Sequence, residues 1–262
     1  MPFAEYKKAR VYFTEKGTGK TVVLLHGFLE NSTMWKFAIP ELSKKYRVVS
    51  IDLPGHGKSA CFGYVHTMEE MAEAVKSVIS QLKIRKASIV GHSMGGYVSL
   101  AFGDLFPDHT RSICLFFSTT KADNAQKKKS RNGAIELVKK NHKSFVRIAF
   151  PLLFRSKYRT VKRDEIKLAK EEALKTPKQG IIAALEGMKR RPSREVLLKF
   201  APFPIHFISG QRDPVIDIKT IGNQLKGADK STAIILKGPG HMGHIESPEE
   251  CLKELKAFCA MG

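Results

Sequence analysis

Short apolar, β-branched runs alternate along this chain with longer stretches of helical periodicity. Residues 21–26 (TVVLLH) and 47–52 (RVVSID) have strand length and end in the turn signals HG and LPGHG. Over 67–82, apolar residues recur at Met68, Met71, Ala72, Val75, Val78, Ile79 and Leu82, one face of a helix. Thr67 and Glu70, three apart at its start, are spaced for a capping box. Residues 87–90 (ASIV) read as a third strand, broken by GHSMGG and followed by a helix of small apolar residues from Gly95 to Phe102. Residues 112–118, 205–209 and 232–236 read as three more strands, and a helix from about Pro248 to Cys259 closes the pattern. Continuous apolar strands alternating with helices predict an α/β class: a mostly parallel central sheet flanked by helices.

The interval 121–200 interrupts that alternation. It holds no strand signal, several helical stretches and two legible helix starts, at Thr176-Pro177 and at Ser193. The expected organisation is a core formed by 1–120 and 201–262, carrying a helical insertion over 121–200.

Hydrophobic residues make up 42% of the 262, enough for a full core, which excludes a disordered chain. No apolar run reaches the roughly 18 residues of a membrane span. The first ten residues, MPFAEYKKAR, lack the apolar segment of a signal peptide. Cys61, Cys114, Cys251 and Cys259 show no CxxC spacing, which argues against a zinc ribbon or a disulfide scaffold. A reduced, cytoplasmic protein is expected. The formal net charge is +20, and residues 121–200 hold 23 Lys and Arg against 8 Asp and Glu. Solvated helix faces account for such a bias, Arg190, Arg191 and Arg194 among them; a surface for an acidic partner is the alternative. Nucleic acid is not the expected partner, because no recognition motif is present and aromatic residues do not interleave with the basic ones.

The sharpest chemical signal is Gly91-His92-Ser93-Met94-Gly95, which fits G-x-S-x-G between a strand and a helix. That turn is too tight for side chains two residues either side of the serine. It lifts the Ser93 hydroxyl above the sheet and points the Met94 N–H toward a reacting carbonyl. A serine needs a base. His241 follows the last strand in GPGH, with His244 as competitor three residues on. The acid should lie at the end of the preceding strand, where Asp213 stands in GQRDP, with Asp217 as fallback. The chain order Ser, Asp, His is that of one hydrolase architecture. A second oxyanion donor is available from the N–H of Phe28, after the turn at Gly27. Leu29, Trp35, Phe150, Leu185 and Met188 are candidate pocket residues. Trp35 and the stretch 145–154 have ordinary packing as the alternative.

With these residues in view, the chain resembles the α/β-hydrolase superfamily, in its branch of compact serine esterases with a helical cap. The resemblance runs from about Val22 to Phe258 and rests on LLHGF (24–28), DLPGHGKS (52–59), GHSMGG (91–96), GQRDPV (210–215) and GPGHMGHIESPEE (238–250). It implies Ser93 as nucleophile, His241 as base, Asp213 as its orienting acid, and Phe28 and Met94 as oxyanion donors. Glu246 and Pro248 match the motif around the family histidine and favour His241 over His244. His26 and His92 are implied to hold loops, as is the segment from Asp52 to Ser59. The serine at the elbow separates the chain from similar families that carry aspartate there. The implied activity is hydrolysis of carboxylic esters through an acyl-enzyme, with no cofactor or metal. Members of this branch also include the methyl ester esterase of pimeloyl-acyl carrier protein, so a basic cap docking an acidic carrier protein is the alternative. A triad-bearing receptor-like protein is the other alternative.

Overall fold

The computed structural model describes residues 2–228 and 230–261. Eight strands form one sheet: β1 (Phe3–Tyr6), β2 (Ala9–Lys16), β3 (Thr21–Leu25), β4 (Arg47–Ile51), β5 (Ala87–His92), β6 (Thr110–Phe116), β7 (Ile205–Gly210) and β8 (Ser231–Leu236). Their order is β1-β2-β4-β3-β5-β6-β7-β8. The pairs β1/β2 and β2/β4 are antiparallel, and every other neighbouring pair is parallel. This is the α/β-hydrolase fold.

The six parallel strands correspond to the six apolar runs. Alternate residues of each divide between the two faces of the sheet. Val23, Leu25, Val49, Ile51 and Ile89 pack under the helices Met68–Gln81 and Met94–Leu105. Val22, Leu24, Val48 and Val90 pack on the other face with Leu42, Leu255 and Phe258. The first of those helices begins as its sequence dictates: Thr67 Oγ1 accepts from the Glu70 N–H at 3.1 Å, and the Glu70 carboxylate accepts from the Thr67 N–H at 3.1 Å.

Between β6 and β7 the chain is helical: Ala125–Ala149, bent at Asn141, then Ser156–Val161, Arg163–Ala173, Lys178–Arg190 and Leu197–Phe200. Ile135, Val138, Val146, Phe150, Phe154, Ile181, Leu185 and Met188 bury their side chains in the same cluster as Leu29 and Met94. The helical segment meets the loops at the carboxyl ends of the strands, where Phe150 borders a cavity with Leu29 and Ile245 and the Arg155 N–H donates to Glu246 at 2.8 Å.

Two expectations are corrected here. Ser193 starts no helix; its hydroxyl faces Glu195 in a turn, and the short helix begins only at Leu197. Arg191 and Arg194 are not solvated charges, being 4% and 5% exposed. Arg191 lies 2.9 Å from Asp123, stacks 3.8 Å over the Tyr97 ring and donates to the Lys121 carbonyl. Arg194 Nε donates to Asp104 at 3.1 Å, and its N–H bonds the Thr120 carbonyl. These buried arginines join the incoming and outgoing strands of the helical segment to the core, because a buried guanidinium must find acceptors. Among the described residues, no helix is long and apolar enough to cross a membrane.

Candidate active site

Ser93 stands at the turn from β5 into the helix Met94–Leu105, with φ 48° and ψ −111°. A non-glycine residue reaches that conformation only where its surroundings hold it there. The surroundings are close. A Cβ on Gly91 would lie 2.2 Å from the Gly95 carbonyl oxygen, and one on Gly95 2.4 Å from that of Leu25. The Ser118 hydroxyl donates to the Ser93 carbonyl at 2.7 Å. The close approach at Gly95 brings the start of the elbow helix against Leu25 and His26. Met94 and the turn carrying Phe28 thereby become neighbours.

The three residues that the sequence singled out meet. Ser93 Oγ lies 2.9 Å from His241 Nε2, and His241 Nδ1 lies 2.9 Å from Asp213 Oδ2. The Asp213 side chain is fully buried, and its other oxygen accepts from the N–H groups of Val215 and Ile216 at 2.7 and 2.9 Å. Those bonds aim one carboxylate oxygen at the imidazole. The alternatives lie elsewhere. Asp217 is exposed and caps the helix Ile218–Gln224, accepting from the Lys219 N–H. His244 is buried with its Nε2 3.4 Å from Glu30 Oε1; burial, ahead of the opposing Glu30 charge, pulls its pKa down to about 4.

The supporting loops are held by polar side chains. His26 Nε2 accepts from the Leu53 N–H at 2.8 Å. Asp52 takes the N–H groups of Ser32 and Lys58, at 2.7 and 2.8 Å. Glu246 accepts from the N–H of Gly240, next to His241, and from the N–H of Arg155 at 2.8 Å. Sequence reasoning missed Glu30. Its carboxylate accepts from the Gly27 N–H at 2.8 Å and lies 2.6 Å from His92 Nδ1. Glu30, His92 and His244 place possible ligand atoms within 4.8 Å of one another. The Glu30–His92 hydrogen bond occupies two of those atoms, so the group reads as an ionic cluster.

Of the pocket candidates, Leu29, Phe150, Leu185 and Met188 share the apolar cluster that also contains Met94 and Met242. Trp35 does not join them. It is fully buried on the other face of the sheet, stacked on Phe37 at 6.1 Å and 5.7 Å from Phe116. Leu29 and Phe150 also border a cavity of about 440 Å³ with Phe37, Leu168 and Ile245, rimmed by Lys36, Lys162 and Glu172.

A serine on a strained elbow, a histidine and a buried carboxylate, all above a parallel sheet, define the α/β-hydrolase class. Residues 20–116 match the α/β-hydrolase fold family. The structure superposes on a thermophilic esterase from Thermogutta terrifontis with a TM-score of 0.90, at 28% identity, covering 97% of this chain and 94% of that one. The chain has the α/β-hydrolase fold and is similar to compact esterases. It is 22% identical to the (E)-2-((N-methylformamido)methylene)succinate hydrolase of Acinetobacter baylyi, across 94% of this chain and 93% of that protein. It is also 29% identical, over 94% of its length, to the dihydrolipoyllysine-residue acetyltransferase component of the acetoin cleaving system of Pseudomonas putida. The chain spans 65% of that relative's length, and 30% of the corresponding protein of Cupriavidus necator.

Proposed function

We propose that this protein is a serine hydrolase of carboxylic esters, working through an acyl-enzyme. The observation that carries the reading is the continuous hydrogen-bonded line Ser93–His241–Asp213. Ser93 Oγ attacks the ester carbonyl while His241 Nε2 takes its proton. Asp213 keeps the proton of His241 on Nδ1, so Nε2 is free to accept. The N–H groups of Phe28 and Met94 receive the oxyanion, a contribution worth roughly 100- to 1000-fold in rate per donor. His241 then protonates the leaving alcohol, and water repeats the sequence on the acyl group. Leu29, Phe150, Leu185 and Met188 supply an apolar wall for the acyl chain, and the helical segment 121–200 acts as the cap that excludes water. The match of residues 20–116 to the α/β-hydrolase fold family and the similarity to a solved esterase support this chemistry.

The test is hydrolysis of p-nitrophenyl esters from acetate to decanoate by the wild type and by Ser93→Ala. Cleavage that disappears in the variant is the expected result. A folded wild type inactive on every ester contradicts it and favours a receptor-like role. The charge excess over 121–200 supports a second reading, an ester carried on an acidic carrier protein.

A further inference from the structure

We propose that Glu30 is a positioning residue of this site, holding His92 as an imidazolium that fixes the oxyanion turn, the serine elbow and the His241 loop in one register. The inference deepens the acyl-transfer reading and rests on it. The Glu30 Oε2 atom sits 2.8 Å from the Gly27 nitrogen and 2.6 Å from His92 Nδ1. On the far side of the ring, His92 Nε2 is 3.0 Å from the backbone carbonyl of His241. Neither the carboxylate nor the carbonyl has a hydrogen to give, so both ring nitrogens must donate. Only the cationic imidazole does that. A neutral His92 turns a lone pair toward one of the two oxygens.

The cation is buried with its counter-charge: His92 is 1% and Glu30 7% exposed. A buried charge persists only when paired and hydrogen-bonded. The groups facing the pair come from every packed element. His26 lies on the oxyanion turn, and the His241 and His244 rings are each 5.3 Å from His92. Asp213 acts on His92, and Lys36 on the neighbouring His244, at longer range. Burial opposes both charges, yet their mutual attraction prevails, holding Glu30 down to about 2 and raising His92.

The consequence is geometric. Gly27 precedes the oxyanion donor Phe28, His92 precedes the nucleophile Ser93, and the His241 carbonyl belongs to the base. One carboxylate thus ties the three backbone segments whose mutual placement sets the reaction distance. A misplacement of about 1 Å in such a site costs about 100-fold in rate.

Two measurements test this together. The imidazole ¹⁵N–¹H spectrum of the wild type at pH 7.5 should show His92 protonated on both nitrogens, and that of Glu30→Gln a single proton. In steady state, Glu30→Gln should lose about 10- to 100-fold in kcat while KM moves less than about threefold. If Glu30→Gln does not fold, His92→Asn should show the same kcat loss. A singly protonated His92 in the wild type overturns the proposal, as does a variant within about twofold of wild-type kcat. The spectrum needs no turnover. A doubly protonated His92 in a protein that cleaves no ester overturns the acyl-transfer reading and the positioning role with it, leaving the ion pair measured.

Discussion

Ser93 reaches His241 because Gly91 and Gly95 let two backbones come closer than any side chain permits. Asp213 in turn has one oxygen committed to backbone donors and one to His241. Replacing it with asparagine keeps the shape but lets the amide donate, which favours the wrong imidazole tautomer. Asp213→Asn should lower kcat about 10⁴-fold in ester cleavage at pH 7.5, with KM little changed; a loss under about tenfold would remove Asp213 from the role. These residues were legible because each stands in a local turn motif at a strand end. Glu30 was not, since its histidine partners His92 and His244 lie 62 and more positions away and no local pattern marks them. Trp35 was equally open, because an aromatic after a turn packs or lines a pocket according to the sheet face it meets.

At the scale of elements, the elbow turn and the attachment of the helical segment are the places where a single substitution acts most sharply. Gly95→Ala pushes a methyl against the Leu25 and His26 carbonyls, and overpacking of this kind costs about 1–3 kcal/mol. The variant should melt lower and lose most of its ester cleavage; an unchanged melting temperature would contradict the described packing. At the other attachment, Asp123 pairs with both Arg131 and Arg191, and its side chain is fully buried. Asp123→Asn leaves Arg191 buried without its counter-charge, a loss of about 3–5 kcal/mol in denaturant unfolding. A change below about 1 kcal/mol would show the pair to be dispensable. The sequence revealed the parallel strands through their uninterrupted apolar runs. It hid the edge strand β1 and its neighbour β2, both half-exposed and joined at Lys7 and Lys8, which have positive φ and are not residues that signal a turn. It hid the burial of Arg191 and Arg194 as well, since a paired arginine and a solvated one look alike in composition.

Over the whole molecule, two electrostatic features have measurable consequences. Burial lowers the pKa of His56 to about 3 and those of His66 and His244 to about 4. Below about pH 6.5 the unfolded chain binds protons at these three sites that the folded protein does not, outnumbering the one raised site, His92, so stability falls as pH falls through that window. The melting temperature should drop steadily from about pH 6.5 to about pH 4; a flat profile would contradict neutral buried histidines. The second feature is the basic segment 121–200. If it docks an acidic carrier, kcat/KM for a carrier-linked ester should fall steeply between low and physiological salt, and that for a small neutral ester should not. Equal salt dependence would leave the charge as a solvated surface. The central claim, that Ser93 is an activated nucleophile, is tested most directly by labelling the intact protein with a fluorophosphonate and locating the adduct by mass spectrometry. The account predicts one adduct, on Ser93, absent in Ser93→Ala and formed far more slowly in His241→Gln. A folded protein that takes no label, or takes it at another residue, would contradict it.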